Sequence, residues 1–354
     1  MHSTAKHQIS IRSIRLSHWP QWIGYAAAVW SLLYGLLGVY WTLGGEGFPF
    51  GHGHDPNPEY SALGYVRIET AAPVIAIMGL LGAVVCLMMT LTRRRHAGSL
   101  RLALSAYAWL LAILLLLVVP DYRTLGSVAY VFVLKFSIIN WSILNQFLCI
   151  IGGFLWVLTA IAYQRRVHFA CENCGRTEKG VAGWTEPAAA AKWGRWVTLI
   201  AVFIPMVYTI TRIAWAFDIP LLVSSEFLHS MNDEFPGIWW FGAALGLIEI
   251  GGSVLTYGLI RPWGEVFPRW TLGLSGKKVP PALAIIPASI MSVLTIEAGL
   301  MIWRGFLSGA FDPGNIGTFA PSLLWPLWGL ALGAATLAYY YRRRGRCMHC
   351  GQGE

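Results

Sequence analysis

The chain is 354 residues long; apolar side chains make up 56% of it and charged ones only 12%. That charged share is about half the norm for a soluble domain, and one core cannot bury so much apolar surface. Disorder, a secreted disulfide scaffold and a soluble nucleic-acid binder are excluded, leaving an all-α integral membrane protein.

A membrane crossing takes about 20 mostly apolar residues. Eight such stretches follow one another, at 20–43, 68–92, 101–120, 142–164, 196–217, 237–260, 280–303 and 319–341. The stretch 126–141 is also apolar, but it is shorter and carries Lys135, so it reads as interfacial or re-entrant. Residues 1–19 are polar and basic, and no small-residue cleavage site follows the first apolar run. That run is therefore expected to be an uncleaved anchor.

Lysines and arginines concentrate on one side of this span plan. The tail before the first span, the tail after the last and the loops after spans two, four and six hold 21 of the 26. The opposite face holds Arg67, Arg123 and Arg304, with nine acids that include Asp55, Asp121, Asp218 and Asp233. By the positive-inside rule both termini are expected in the cytoplasm of a multi-pass plasma-membrane protein, which needs an even number of spans. The net charge of +9 is then a topology signal, and no nucleic-acid partner is expected.

Trp19, Trp22, Tyr34 and Trp41 recur as Trp193, Trp196, Tyr208 and Trp215, each 174 residues on. Glu69 and Glu249 align as well, six residues out of step. Each half then ends in an aromatic-basic run and a thiol pair: Tyr163 to Arg166 with Cys171 and Cys174, and Tyr341 to Arg344 with Cys347 and Cys350. The expected fold is thus eight transmembrane helices as two parallel four-helix repeats, related by an axis along the membrane normal. The corresponding segments are a tail at 1–19, a repeat at 20–166, a linker at 167–192, a repeat at 193–344 and a tail at 345–354.

The two C-x-x-C-G knuckles fall on the predicted cytoplasmic side, where structural disulfides are disfavoured. Four thiolates suit structural zinc in a small zinc-ribbon-like site of four cysteines, provided the fold brings the halves together. Thiol-disulfide cycling is the other chemistry open to this motif. Cys86 and Cys149 lie inside spans and read as packing residues.

Ionisable groups inside spans are costly and are functional candidates by default. They are Glu69, Glu249, Glu297 and Arg212. One reading pairs a glutamate with Arg212 as interhelical glue. The other sets Glu69 and Glu249 face to face across the repeat axis, as an ion site or an acid–base pair. In the first outer loop, His52, His54 and Asp55 could bind copper or zinc, or simply be solvated. Tryptophans near the span ends form an interfacial belt. Asn140-Trp-Ser142 matches a glycosylation sequon but sits close to the membrane. No Walker A loop, dinucleotide fingerprint, nucleophile elbow or H-E-x-x-H motif is present.

The string Tyr40-Trp-Thr-Leu-Gly-Gly45, followed by Gly47-Phe-Pro-Phe-Gly51, resembles a segment of uncharacterised polytopic membrane proteins of Gram-positive bacteria, especially actinobacteria. The resemblance implies a bacterial plasma membrane and assigns no chemistry. Three functions fit these residues: a transporter or channel for a small solute or ion, an enzyme on a lipid or isoprenoid substrate, and a non-catalytic assembly or sensor protein.

Overall fold

The computed structural model describes residues 18–91, 98–132, 134, 139–177, 183–271 and 273–353. Among the described residues the regular structure is helical, with an isolated bridge between Val266 and Lys278 and another at Thr177. The helices are α1 (Trp19–Thr42), α2 (Ile68–Leu91), α3 (Gly98–Ile113, continued by a π turn over Leu114–Val118), α4 (Tyr122–Phe132) and α5 (Trp141–Val167). After them come α6 (Pro187–Ala216), α7 (Ser225–Glu234), α8 (Ile238–Gly258), α9 (Pro281–Leu307) and α10 (Trp325–Arg343). All but α4 and α7 are long and apolar enough to cross a membrane, which makes eight candidate spans.

The largest departure from the expected edges is at α6, which starts at Pro187 rather than near 196. Its first turns are Pro187 and four alanines. Proline suits the first helical position and alanine is the best helix former, so the helix extends beyond the apolar stretch. The apolar stretch predicted as interfacial is helix α4 in its first part, which starts earlier, at Tyr122. Eleven residues rise about 16 Å, too short for a crossing. Lys135 lies outside the described residues.

Small residues set the helix contacts. A Cβ on Gly79 would stand 2.5 Å from the Gly35 Cα, and one on Gly38 would stand 2.5 Å from the Ala76 nitrogen. As numbers rise along α1 they fall along α2, so this pair is antiparallel. In lipid there is no hydrophobic drive between helices, and such close backbone approach supplies dispersion contacts instead. Likewise α8 offers Gly246 to Thr209 of α6, and α10 offers Gly329 to Ser292 and Ile296 of α9.

The pairing follows the same order in both halves. α1 packs on α2 and α5, with α3 on α5; α6 packs on α8 and α10, with α9 on α10. The halves meet where α9 lies against α4 and the π turn of α3. Leu116, Ile150 and Leu294 form the buried apolar cluster of that joint.

Candidate functional site

Two polar constellations join the halves, one at each end of the bundle. At one end the loop after α5 and the tail after α10 bring Cys171, Cys174, Cys347 and Cys350 together, all four Sγ atoms within 4.8 Å of one another. Equivalent thiols face each other, Cys171 to Cys347 at 3.8 Å and Cys174 to Cys350 at 3.6 Å. The knuckles share one backbone plan. The amides of Cys171 and Gly175 donate to the carbonyls of Arg176 and Cys171; those of Cys347 and Gly351 donate to Gln352 and Cys347. Gly175 and Gly351 have φ of +76° and +71°, a turn geometry that glycine alone adopts without strain. Among the described residues this is the one group of side chains able to hold a metal ion.

Arginines brace the cluster from behind. Arg344 donates to the Cys174 carbonyl at 2.8 Å, and Arg176 donates to the carbonyls of Arg344 and Gln352 at 2.7 and 2.8 Å. The thiols differ in acidity. Burial pushes Cys174 up to about 12. Burial opposes ionisation of Cys347 too, but hydrogen bonds from the Cys350 and His349 amides outweigh it and bring that thiol down to about 6.

The second constellation lies at the opposite end, where α4 enters the joint. Arg123 is buried with two carboxylates. It donates to Asp55 at 2.7 and 2.6 Å and to Asp121 at 2.8 and 2.6 Å. Gln146 of α5 donates to Asp121 Oδ2 at 2.7 Å and accepts from the Asp121 amide at 3.0 Å. Burial works to raise the Asp55 carboxyl, but hydrogen bonds from Arg123 and the Asn57 amide, with the Arg123 charge, hold it below its ordinary value. Thr124 then crosses to the other half, its Oγ 2.7 Å from Glu297 Oε1 of α9. Glu297 is 2% exposed, and its Oε2 is buried with no hydrogen-bond partner among the described residues.

Of the glutamates singled out in the sequence, Glu297 alone is fully buried at this joint. Glu249 lies twelve residues into α8, accepts from Thr209 at 3.1 Å and feels the charge of Arg212. Arg212 sits between Tyr208 and Trp215, its guanidinium 4.3 Å from each ring, and donates to the Thr318 carbonyl at 3.3 Å. Arg212 makes no ion pair or hydrogen bond with Glu249; it reaches that carboxyl through its charge alone.

Glu69 joins neither group. It lies in the first turn of α2 with its side chain exposed. The helix contacts give a different register from counting along the sequence, which aligned it with Glu249. Gly35 packs on Gly79, while Thr209, 174 residues after Gly35, packs on Gly246. By that register the position matching Glu249 is Gly82, which sits against Ser31, Tyr107 and Trp156.

The loop histidines are exposed and meet aromatic rings at steep angles, His52 tilted on Tyr65 and His54 edge-on to Phe48, while Asp55 is bound to Arg123. The three side chains are not gathered as metal ligands in this arrangement. Asn140 caps α5, its Oδ1 accepting from the Ile143 amide at 3.0 Å. Cys86 and Cys149 are buried, as packing residues would be. Sequence reading missed Asp55, Asp121, Arg123, Thr124 and Gln146 as a group. The available signal was Asn145-Gln146 inside a span, two amides that need partners where there is no water. Compared with known protein families, curated proteins and solved structures, the chain matches none of them.

Proposed function

We propose that this is a plasma-membrane transporter or channel for a small solute or ion, built as two parallel four-span repeats with its site in the joint between them. The observation that carries this reading is Glu297, a buried carboxyl reaching from one half to Thr124 of the other beside the Asp55–Arg123–Asp121 cluster. Buried acids at the contact of two bundles suit a site that opens to alternate sides as the bundles rock. The matched order of helix contacts supports the duplication. The charge distribution supports cytoplasmic termini, and with them a cytoplasmic cysteine cluster.

Zinc is the metal we assign to that cluster, in a structural role. A tetrahedral Zn–S bond of about 2.3 Å gives sulfur–sulfur edges of about 3.8 Å. The observed 3.8 and 3.6 Å match two of those edges, and all four sulfurs lie within 4.8 Å of one another. Cys171, Cys174, Cys347 and Cys350 would hold the ion, which supplies no reaction step; it ties the cytoplasmic ends together while the opposite ends stay joined by polar contacts. An enzyme using Glu69 and Glu249 as acid and base on a lipid is less well supported, because Glu69 is exposed at a helix end and Glu249 lies mid-helix.

The test is electrogenic flux. Purified protein in liposomes on a solid-supported membrane is exposed to jumps in H⁺, Na⁺, K⁺, Cl⁻ and small charged metabolites. We expect a current for at least one of them, lost in Thr124→Val. Folded protein that passes none of the panel would overturn the transporter reading.

A further inference from the structure

The hydrogen atoms at the joint can be counted. Thr124 has one hydroxyl hydrogen and two close oxygen neighbours, the Asp121 carbonyl at 2.8 Å and Glu297 Oε1 at 2.7 Å. The Asp121 carbonyl already accepts from the Thr124 amide at 2.9 Å, so the hydroxyl hydrogen is available to Glu297 Oε1. That one donor serves one carboxyl oxygen and leaves the other with none. An ionised Glu297 would make Oε2 a buried negative oxygen without a donor. Unpaired buried charge is among the most costly arrangements in a protein.

Charge around the site points the same way. Arg123 is one cation between two carboxylates, so the cluster already holds one negative charge in excess. An ionised Glu297 would make two. Facing Glu297, the approach to α4 brings Asp121, Tyr122 and Arg123, and the outer loop brings Asp55. α5 brings the neutral Asn145 and Gln146. The π turn of α3 brings no titratable group, and α10 brings none before Tyr339. On α9 itself the nearest charge is Arg304, two turns on and directed to the Tyr60 carbonyl. No free cation among these compensates a second negative charge. Glu249 differs, since the charge of Arg212 acts on it, so no proton is forced there.

We propose that Glu297 is a proton-binding site, protonated in this conformation, and that a proton is the ion this joint handles. The second part rests on the transporter reading; the first does not. While α4 and α9 stay together, the carboxyl keeps its proton and water is kept out. When they part, the carboxyl gains water as acceptor and the proton leaves to it, which couples the ion to the movement of one half against the other.

The test is infrared difference spectroscopy on the full-length protein in lipid at neutral pH. We expect wild type minus Glu297→Gln to contain the carbonyl stretch of one protonated carboxyl, shifted by exchange into D2O. Wild type minus Glu226→Gln, which removes an exposed carboxylate of α7, should lack it. If Glu297→Gln does not fold, Thr124→Val serves instead: the band should persist and move, because the hydroxyl partner is gone while the proton remains. A wild-type spectrum with only carboxylate bands from Glu297 would overturn the proposal, whatever the flux. In proteoliposomes with an internal pH dye, an imposed proton gradient should collapse faster than in empty liposomes, and Glu297→Gln should abolish the difference. A carboxyl band without proton flux would keep the proton site and defeat proton transport.

Discussion

Asp55 and Arg123, 68 residues apart in the chain, meet through two parallel hydrogen bonds of 2.7 and 2.6 Å with both side chains buried. The fork fastens the loop between α1 and α2 onto α4, and α4 is the element that reaches across to α9. Breaking one partner of a buried ion pair costs about 3–5 kcal/mol, because the other charge is left uncompensated. Arg123→Met strands two carboxylates, so it should lower the melting temperature in detergent more than Asp55→Asn does. Equal melting temperatures for both variants and wild type would show that the fork holds nothing in place.

The same pair sets an acid limit. Asp55 has a folded value below its ordinary one, so it contributes stability above the unfolded value of about 3.9 and loses it as pH falls through the folded value. Between pH 5 and 8 this group should leave stability flat. Below about pH 4 the melting temperature should drop, and Asp55→Asn should flatten that drop. An acid limb of unchanged depth in the variant would assign the loss to other carboxyls.

The cysteine cluster predicts one zinc per chain by elemental analysis of purified protein. Cys347→Ser should lose the metal and lower the melting temperature, since the loop after α5 and the tail after α10 would no longer be clamped. Metal content and melting temperature both unchanged would remove the clamp.

Close helix approach predicts a position-specific cost for glycine substitution. Gly38→Leu meets the backbone of Ala76, which cannot step aside, so α1 and α2 must part at a cost of about 1–3 kcal/mol or more. In α4 a Cβ on Gly126 would meet nothing within 4 Å. Gly126→Ala should therefore be neutral or stabilise by up to about 1 kcal/mol. Melting curves showing the reverse order would mean that α1 and α2 do not pack through Gly38.

Orientation can be read on intact cells. An impermeant thiol reagent should label Glu59→Cys in the first outer loop and leave the exposed native Cys350 unlabelled until the membrane is opened. Labelling of Cys350 in sealed cells would invert the topology and remove the reducing compartment from the argument for zinc.

The eight spans were legible in the sequence because a crossing is a one-dimensional property: a run of apolar residues long enough for the hydrocarbon thickness. Knuckle spacing was legible for a similar reason, as ligand geometry constrains the separation of the two cysteines along the chain. What only the tertiary structure decided is which polar residues share an environment. Asp55, Asp121, Arg123, Gln146 and Glu297 come from two loops and three helices, and no spacing along the chain relates them. Counted in the sequence among the acids of one face, Asp55 and Asp121 gave no sign of burial; the fold buries them because Arg123 and Gln146 supply donors there. Glu69 and Glu249 looked equivalent because sequence alignment absorbs shifts in loops. Helix register is set instead by where small residues let backbones touch, at Gly35 on Gly79 and at Thr209 on Gly246, and that register puts the two glutamates at different depths.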